Sequence, residues 1–200
     1  MPLVDERPRS IEILNVAATL FAEQGVSATS MQQIADAIGI QKSALYYFFK
    51  QKEDIVNAIV VGTTDLVLER VRAAVEAETD ATRKLKAFGH AFAQLITSNH
   101  HRMVAAMVGF GGMNHPKIGA RDKYEEIMRQ IVRQGVREGV FRTSNQALTG
   151  RAFLSCLSWM TRWWDPKGPL TAEEIVDHYW DLLLKGLVTD ERAVRGRDNR

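Results

Sequence analysis

The sequence predicts an all-α protein with a small N-terminal helical domain and a larger C-terminal helical domain. Three observations indicate this class: apolar residues recur at helical spacing, alternating β-branched runs are rare, and glycine and proline concentrate between the apolar segments. A chain of 200 residues has room for two domains. We predict domains at 1–54 and 55–189 and a disordered tail at 190–200.

The N-terminal part predicts three short helices that share one core. The first runs from about Ser10 to Gln24 and stops at a glycine. The second starts at Thr29, which forms a capping-box pattern with Gln32. It ends at Gly39, where a positive φ is expected. The third helix begins directly after this tight turn.

The third helix, which we expect to begin near Gln41, combines small residues at its start with aromatic residues and lysines at its end. Leu45 points into the core, and either Phe48 or Phe49 follows one turn later. A short helix that enters the major groove of DNA needs slim side chains at its tip and phosphate-binding groups beside it. The pattern therefore favours a helix-turn-helix. A three-helix fragment that never contacts nucleic acid is the alternative.

Residues 29–52 supply the candidate DNA contacts. The candidates for base edges are Lys42, Ser43, Ala44 and Tyr46. The candidates for phosphates are Thr29, Ser30, Tyr47 and Lys52.

Four segments of this region, LFAEQG, TSMQQIADAIGI, KSALYYFF and KQKEDI, resemble the DNA-binding domain of the TetR family of transcriptional regulators over about fifty residues. Family members usually carry His at the position of Phe48 and Ser at the position of Gln41. The resemblance implies a regulator that binds a palindromic double-stranded DNA operator as a homodimer. It implies repression by operator occlusion, with transcriptional activation as an alternative.

Composition and charge set further limits. The chain has a net charge of +2, but residues 1–54 hold five Lys/Arg against seven Asp/Glu, a balance of −2. We therefore expect few phosphate contacts per subunit, with dimerisation supplying much of the DNA affinity. A single cysteine, no signal-peptide pattern and no long apolar run predict a cytoplasmic protein without membrane association.

Apolar residues also predict the first two helices of the C-terminal domain. A long helix runs from about Glu53 into the 70s with Ile55, Ile59, Leu66, Val67 and Val71 inward, and the next carries an apolar stripe of Leu85, Phe88, Phe92 and Leu95.

The last two predicted helices run from Gln146 to about Trp164 and from Glu173 to Leu187, and Thr171 with Glu174 forms a capping box at the start of the second. In TetR-like proteins the corresponding helices form the four-helix bundle of the dimer, so the resemblance places the dimer interface here. The candidate interface residues are Gly150, Phe153, Leu154, Ser155, Leu157, Ser158, Tyr179, Leu182, Leu183, Gly186 and Leu187. Ordinary core packing is the alternative for about half of them.

Methionine and aromatic side chains indicate a small-molecule site in the C-terminal domain, because they form adaptable apolar walls. The candidate ligand-binding residues are Phe88, Phe92, Met103, Met107, Phe110, Tyr124, Met128, Phe153, Trp159 and Trp163. Each could instead belong to the core.

The segment RWWDPKGPLTAEEIVDHYWDLLLKGL resembles the C-terminal end of TetR-like regulators of fatty-acid and steroid breakdown. That resemblance implies an apolar effector, as an acyl compound or its coenzyme A thioester, with Arg102 or Arg162 near its polar end. A helical small-molecule or acyl-group binding protein without DNA-binding activity is the alternative.

Catalytic motifs are not found in the sequence. It contains no G-x-S-x-G, no H-E-x-x-H and no phosphate loop of the G-x-x-x-x-G-K-[ST] type. The adjacent pair His100-His101 points in two directions on a helix and has no cysteine cluster nearby, so we predict no metal site. The sequence predicts no enzyme activity and no cofactor.

Overall fold

The computed structural model describes residues 8–110 and 119–185, and every regular element in these ranges is an α-helix. The helices in chain order are α1 (Pro8–Gln24), α2 (Met31–Ile38), α3 (Lys42–Phe48), α4 (Lys52–Glu76), α5 (Ala81–Ser98), α6 (His100–Phe110), α7 (Gly119–Arg137), α8 (Gln146–Trp163) and α9 (Ala172–Lys185). This confirms the predicted fold class, a helix-turn-helix domain followed by a helical domain. Within the described ranges no helix could span a membrane. The predicted tail at 190–200 lies outside them.

The N-terminal core joins the first three helices to parts of α4 and α6. Phe21 of α1, Ile34 of α2 and Leu45 of α3 are at most 1% exposed and pack together. The same core includes five residues of α4 and two of α6: Ile55, Val56, Ala58, Ile59, Val60, Ala105 and Ala106. Helix α4 runs through the predicted boundary at residue 54 without a break, and its first turns pack in the N-terminal core.

The start of α2 corrects the predicted cap by one residue. Ser30, not Thr29, is the N-cap: its hydroxyl accepts from the backbone N–H of Gln33, and the Gln33 side chain accepts from the Ser30 N–H at 2.8 Å. Thr29 lies just before the helix, and its side chain is turned inward. A capping box is present at the start of α2 as predicted, but Ser30 and Gln33 form it instead of Thr29 and Gln32.

Gly39 ends α2 as predicted, with φ at 73°. Its N–H donates to the carbonyl of Asp36 at 3.1 Å, and the N–H of Ile40 donates to that of Ala35 at 3.0 Å. This pair of bonds is the Schellman arrangement that stops a helix and turns the chain. The turn sets the direction in which α3 leaves.

The C-terminal core is built from the rest of α4 and from α5, α7, α8 and α9. Five large side chains at its centre are fully buried, each 0% exposed: Phe88, Ile96, Met128, Leu157 and Met160. The predicted stripe on α5 and the predicted inward face of α4 both contribute to it. The cap of α9 also matches the sequence, since Thr171 and Glu174 form a capping box.

Helix α6 lies between the two cores and packs against both α1 and α4. Gly109 permits the close approach: a Cβ at this position would lie 2.9 Å from Val56 Cγ1 and 3.0 Å from Val60 Cγ2. Any side chain there would push α6 away from α4. The two cores are therefore connected through a tightly packed helix as well as along the length of α4.

The Gly39 turn gives a first prediction. Gly39→Ala is expected to lower the free energy of unfolding by about 1–2 kcal/mol, because an L side chain disfavours the left-handed region. No atom lies within 4 Å of the position of the new Cβ, so the effect comes from the backbone alone. Gly39→Asn is the matched control, with a smaller loss because Asn tolerates this conformation. Denaturant unfolding followed by circular dichroism measures both, and equal losses would contradict the explanation.

Candidate nucleic-acid interface and ligand cavity

The outer face of α3 presents the predicted base-contacting residues to solvent. Lys42, Ser43 and Ala44 are exposed, and Tyr46 is 38% exposed. Leu45 between them is 0% exposed and anchors the helix from below. The Lys42 ammonium lies 5.9 Å from the centre of the Tyr46 ring, a cation–π distance. A short helix with a buried anchor and small, cationic and phenolic groups on the outside can enter a DNA groove.

The aromatic end of α3 is divided between surface and core. Tyr47 is 67% exposed, as a phosphate contact requires, and its ring meets Phe48 edge-on with 5.3 Å between the ring centres. Phe49 is 9% exposed and follows Leu45 into the core, with Phe48 partly buried beside it. Of the two alternatives for the inward residue, Phe49 is therefore the buried one.

The predicted phosphate contacts at the start of α2 behave differently from each other. Ser30 is exposed at the first turn of the helix, where unpaired backbone N–H groups favour an anion. Thr29 is 1% exposed, and its hydroxyl donates to the carbonyl of Gly25 at 2.8 Å. The predicted phosphate role of Thr29 is wrong for this conformation, because its hydroxyl is used inside the α1–α2 turn.

Lys52 has an internal role that its sequence position did not reveal. Its Nζ donates to the carbonyl of Val26 at 2.7 Å and to that of Thr29 at 2.8 Å. The ammonium therefore ties the start of α4 to the α1–α2 turn, and only its third donor remains for a phosphate. Lys50 is exposed nearby and donates to the carbonyl of Tyr46 at 3.1 Å, at the end of α3.

A cavity of about 310 Å³ lies between α4, α5, α6, α7 and α8. Its lining residues are Thr63, Thr64, Val67, Phe92, Met103, Ala106, Met107, Tyr124, Ser158 and Thr161. Four of the predicted ligand-binding residues are among them: Phe92, Met103, Met107 and Tyr124. None of the lining side chains carries a formal charge at neutral pH, so this part of the chain suits an apolar guest with few polar atoms.

The other predicted ligand-binding residues lie elsewhere. Phe88 and Met128 are 0% exposed and Phe153 is 2% exposed, because they fill the C-terminal core. Trp159 and Trp163 are 58% and 48% exposed on the outside of α8. The Phe110 side chain lies outside the described residues. The predicted methionine and aromatic residues thus lie in the core, on the surface and in the cavity wall. Their spacing in the sequence did not indicate which residue lies in which place.

Six residues of the cavity wall were not predicted from the sequence, and four of them carry hydroxyl groups. Thr63 and Thr64 are 4% and 5% exposed on the inward face of α4, and Ser158 and Thr161 come from α8. The Thr161 Oγ1 lies 2.8 Å from the carbonyl of Ser158 and 2.9 Å from Met107 Sδ. In the sequence, these positions could have been recognised as hydroxyl residues that interrupt an otherwise apolar helical stripe.

The two arginines predicted for the polar end of an effector, Arg102 and Arg162, differ in their surroundings. The Arg102 guanidinium lies near Gly62, next to the lining residue Thr63, with its Nη2 3.7 Å from where a Gly62 Cβ would lie. Burial lowers the pKa of Arg102. Arg162 lies on the exposed side of α8, its guanidinium 5.2 Å from the centre of the Trp159 ring. Of the two arginines, Arg102 is thus the one that lies against α4, and neither is among the residues that line the cavity.

Two histidines connect the first turn of α6 to its neighbours. The His100 ring meets Trp164 edge-on at 5.5 Å, and burial, followed by the proximity of His101, lowers the pKa of His100 against an opposing effect of Asp165. His101 Nδ1 lies 3.3 Å from Thr19 Oγ1 of α1. The described part of the chain contains no group of three His, Cys, Asp or Glu side chains that could hold a metal ion.

Most of the predicted dimer residues of α8 face the protein's own core. Phe153, Leu154 and Leu157 are at most 9% exposed, and a Cβ on Gly150 would lie 3.3 Å from Met128 Cγ. Ser155 is exposed, while Ser158 lines the cavity. These helices also carry an apolar outer surface that we call the α8–α9 surface, consisting of Leu148, Ser155, Trp159, Trp163, Leu183 and Leu184.

On α9, Leu183 is exposed, and Tyr179 and Leu182 are partly exposed. Gly186 and Leu187 lie outside the described residues. The exposed apolar residues available to a partner are thus two tryptophans and three leucines, not the small residues of α8: Leu148, Trp159, Trp163, Leu183 and Leu184.

An exposed recognition helix on a three-helix head, joined to a helical domain with an apolar cavity, defines a helix-turn-helix transcriptional regulator. Residues 13–59 match the sequence profile described as "Bacterial regulatory proteins, tetR family", and residues 78–187 match "Tetracyclin repressor-like, C-terminal domain". The chain belongs to the TetR family, whose members are DNA-binding regulators and not enzymes.

Individual relatives agree with this assignment over nearly the whole chain. The HTH-type transcriptional repressor KstR2 of Rhodococcus jostii is 30% identical over 90% of this chain and 92% of its own length. The structure of PfmR, a TetR family regulator from Thermus thermophilus, has a TM-score of 0.81 at 40% identity, covering 88% of this chain and 98% of that one.

A third relative, AibR in complex with isovaleryl coenzyme A and operator DNA, has a TM-score of 0.78 at 26% identity, covering 87% of this chain and 97% of that one. This chain is a transcriptional repressor of the TetR type.

The two lysines beside α3 give a second prediction. Lys52→Met is expected to lower the free energy of unfolding by about 1 kcal/mol, because two charge-assisted hydrogen bonds to the α1–α2 turn are lost from a partly exposed site. Lys42→Met, the matched control, is expected to change stability by less than about 0.5 kcal/mol. Both are expected to weaken DNA binding, but the salt dependence should fall by up to about one phosphate per subunit only in Lys52→Met, because Lys42 is the candidate for a base contact. Equal stability of the two variants would contradict the internal role of Lys52.

Proposed function

We propose that the chain represses transcription as a homodimer on a palindromic operator and leaves the DNA when an apolar acyl-type effector fills the cavity. The observation that carries this proposal is that Ala106 of α6 belongs both to the core under the recognition helix and to the cavity wall. A ligand that changes the position of α6 therefore acts on the head that holds α3.

For the DNA step, the exposed part of α3 enters the major groove with Lys42, Ser43, Ala44 and Tyr46 toward base edges. Ser30 and Tyr47 bind phosphates on either side, with the remaining donor of Lys52 as an additional contact. One short helix reads too few base pairs for tight binding. Two copies about one DNA turn apart, ~34 Å, read both halves of a palindrome.

For the dimer, the α8–α9 surface supplies the contact. Trp159 and Trp163 together expose large aromatic area on one helix, and Leu183 and Leu184 are 41% and 39% exposed on the next. Tryptophan is enriched in the buried centres of protein interfaces, where its large apolar surface is removed from water. A twofold contact through these helices leaves α3 of each copy free.

For the effector, the cavity accepts the apolar part, and Arg102, which lies against α4 near Gly62, is the candidate to bind a negatively charged group. The relative AibR was crystallised with isovaleryl coenzyme A and operator DNA, which supports an acyl-coenzyme A thioester as the kind of ligand. The effector releases DNA only if it binds the DNA-incompetent conformation more tightly than the DNA-bound one. A 100-fold difference corresponds to about 2.7 kcal/mol of coupling.

The dimer gives a third prediction. Trp159→Glu is expected to convert the dimer to monomer and to weaken operator binding at least about tenfold, because a charge is placed in an apolar contact. Gln94→Glu adds the same charge on the exposed side of α5 and serves as the control. Light scattering after size-exclusion chromatography gives the mass of each variant. A dimer that persists in Trp159→Glu would place the interface elsewhere.

The effector gives a fourth prediction. DNA fragments bound from a random pool are expected to contain a palindrome, and acyl-coenzyme A thioesters should release them while coenzyme A alone should not. Release is measured by fluorescence anisotropy of the labelled fragment, with thermal shift reporting ligand binding directly. Stabilisation only by planar cationic compounds would contradict the acyl-type effector.

Two further outcomes separate the alternatives. Ligand binding without any retention of DNA would favour a binding protein whose helix-turn-helix has lost its role. Operator binding that raises transcription from a reporter gene would favour an activator.

A further inference from the structure

Among the hydroxyls that line the cavity, Thr63 stands apart. Its side chain is 4% exposed, and its Oγ1 is buried without a hydrogen-bond partner among the described residues. A threonine inside a helix usually donates to the carbonyl four residues earlier. Thr64 does so, with its Oγ1 2.7 Å from the carbonyl of Val60. The Thr63 hydroxyl is buried without that bond, in the cavity wall.

The hydroxyl hydrogens of the other two threonines in the cavity wall are already directed elsewhere. Thr161 donates to the carbonyl of Ser158 or to Met107 Sδ, and Thr64 donates to its own helix. Thr63 is therefore the buried threonine of the wall whose O–H still requires an acceptor. Buried hydroxyl groups are almost always hydrogen-bonded, so an oxygen atom of a guest is the natural partner.

The wall also determines the charge of that guest atom. The cavity that Thr63 lines also includes Val67, Phe92 and Met103, and none of the ten lining side chains is an Asp, Glu, Lys or Arg. A carboxylate brought to this depth would lose its hydration without gaining a cation. Arg102 lies beside Gly62 and is not among the lining residues. An uncharged oxygen satisfies Thr63 without that penalty.

We propose that Thr63 is a specificity-determining residue that donates a hydrogen bond to an uncharged carbonyl oxygen of the effector, such as that of a ketone, an ester or a thioester. The inference rests on the proposed function, because it assigns the chemistry of the same cavity. It makes the site selective for acyl derivatives over free acids. The bond orients the carbonyl toward α4, with the apolar remainder against α5 and α6.

The test uses three probes of similar size: 2-heptanone, 2-methyl-1-heptene, in which a methylene group replaces the carbonyl oxygen, and hexanoate. Their dissociation constants are measured for the full chain by ligand-observed NMR. The wild type should bind the ketone roughly three- to tenfold more tightly than the alkene, the range expected for one net hydrogen bond. Hexanoate should bind more weakly than the ketone.

Variants assign this preference to one atom. Thr63→Val keeps the shape of the side chain and should bind the alkene at least as tightly as the ketone, because the ketone then loses its hydrogen bonds to water without gaining one. Thr63→Ser keeps the hydroxyl and should retain the preference for the ketone. Infrared spectra of the bound ketone should show a carbonyl stretch at lower frequency in the wild type than in Thr63→Val. Thr97→Val, which removes an exposed hydroxyl of α5 outside the cavity, is the control and should behave as the wild type.

The outcomes separate this inference from the proposed effector site. Equal binding of ketone and alkene to the wild type, or tighter binding of hexanoate, overturns the role of Thr63 and leaves the cavity as a ligand site. A preference that survives in Thr63→Val overturns it as well. If none of the three probes binds, the inference falls together with the proposed effector site.

Discussion

The packing of α6 between α1 and α4 is the constraint on which the rest of the structure depends. Ala105 and Ala106 are at most 4% exposed, and Gly109 leaves no room for a Cβ against Val56 and Val60. Small residues are required here because α6 must touch the N-terminal core closely while Met103 and Met107 face the cavity. Closely packed interiors shift between discrete arrangements instead of deforming smoothly. A displacement of α6 therefore has to be shared by both of its neighbours.

The elements that the sequence predicted best are those determined by neighbouring residues. The Gly39 turn, the Thr171–Glu174 cap and the apolar stripe of α5 depend on local spacing, and all three were confirmed. The cap of α2 was placed one residue early, because Thr29 and Ser30 both fit the pattern locally. The tertiary structure decides between them, since the Thr29 hydroxyl finds its partner in the preceding turn.

The sites were harder to predict because they depend on contacts between distant residues. Lys52 reaches carbonyls of the α1–α2 turn more than twenty residues away in sequence, and no local pattern encodes that bond. Trp159 is of a residue type common in ligand-binding sites, but its side chain lies on the outside of α8. Thr63 is of a polar residue type common on helix surfaces, but its side chain lines the cavity. Residue type predicted what each side chain could bind, and only the packing of helices decided what it faces.

The proposed regulation needs only modest energies. A coupling of about 1–3 kcal/mol changes operator affinity 5- to 150-fold. Burying or exposing one or two methylene groups at a tightly packed contact changes the free energy by about the same amount. The contact of Gly109 with Val56 and Val60 and the bond between His101 and Thr19 are contacts of this size on the two sides of α6. A ligand that displaces α6 would disturb these contacts and so act on the core that holds Leu45, the buried anchor of α3.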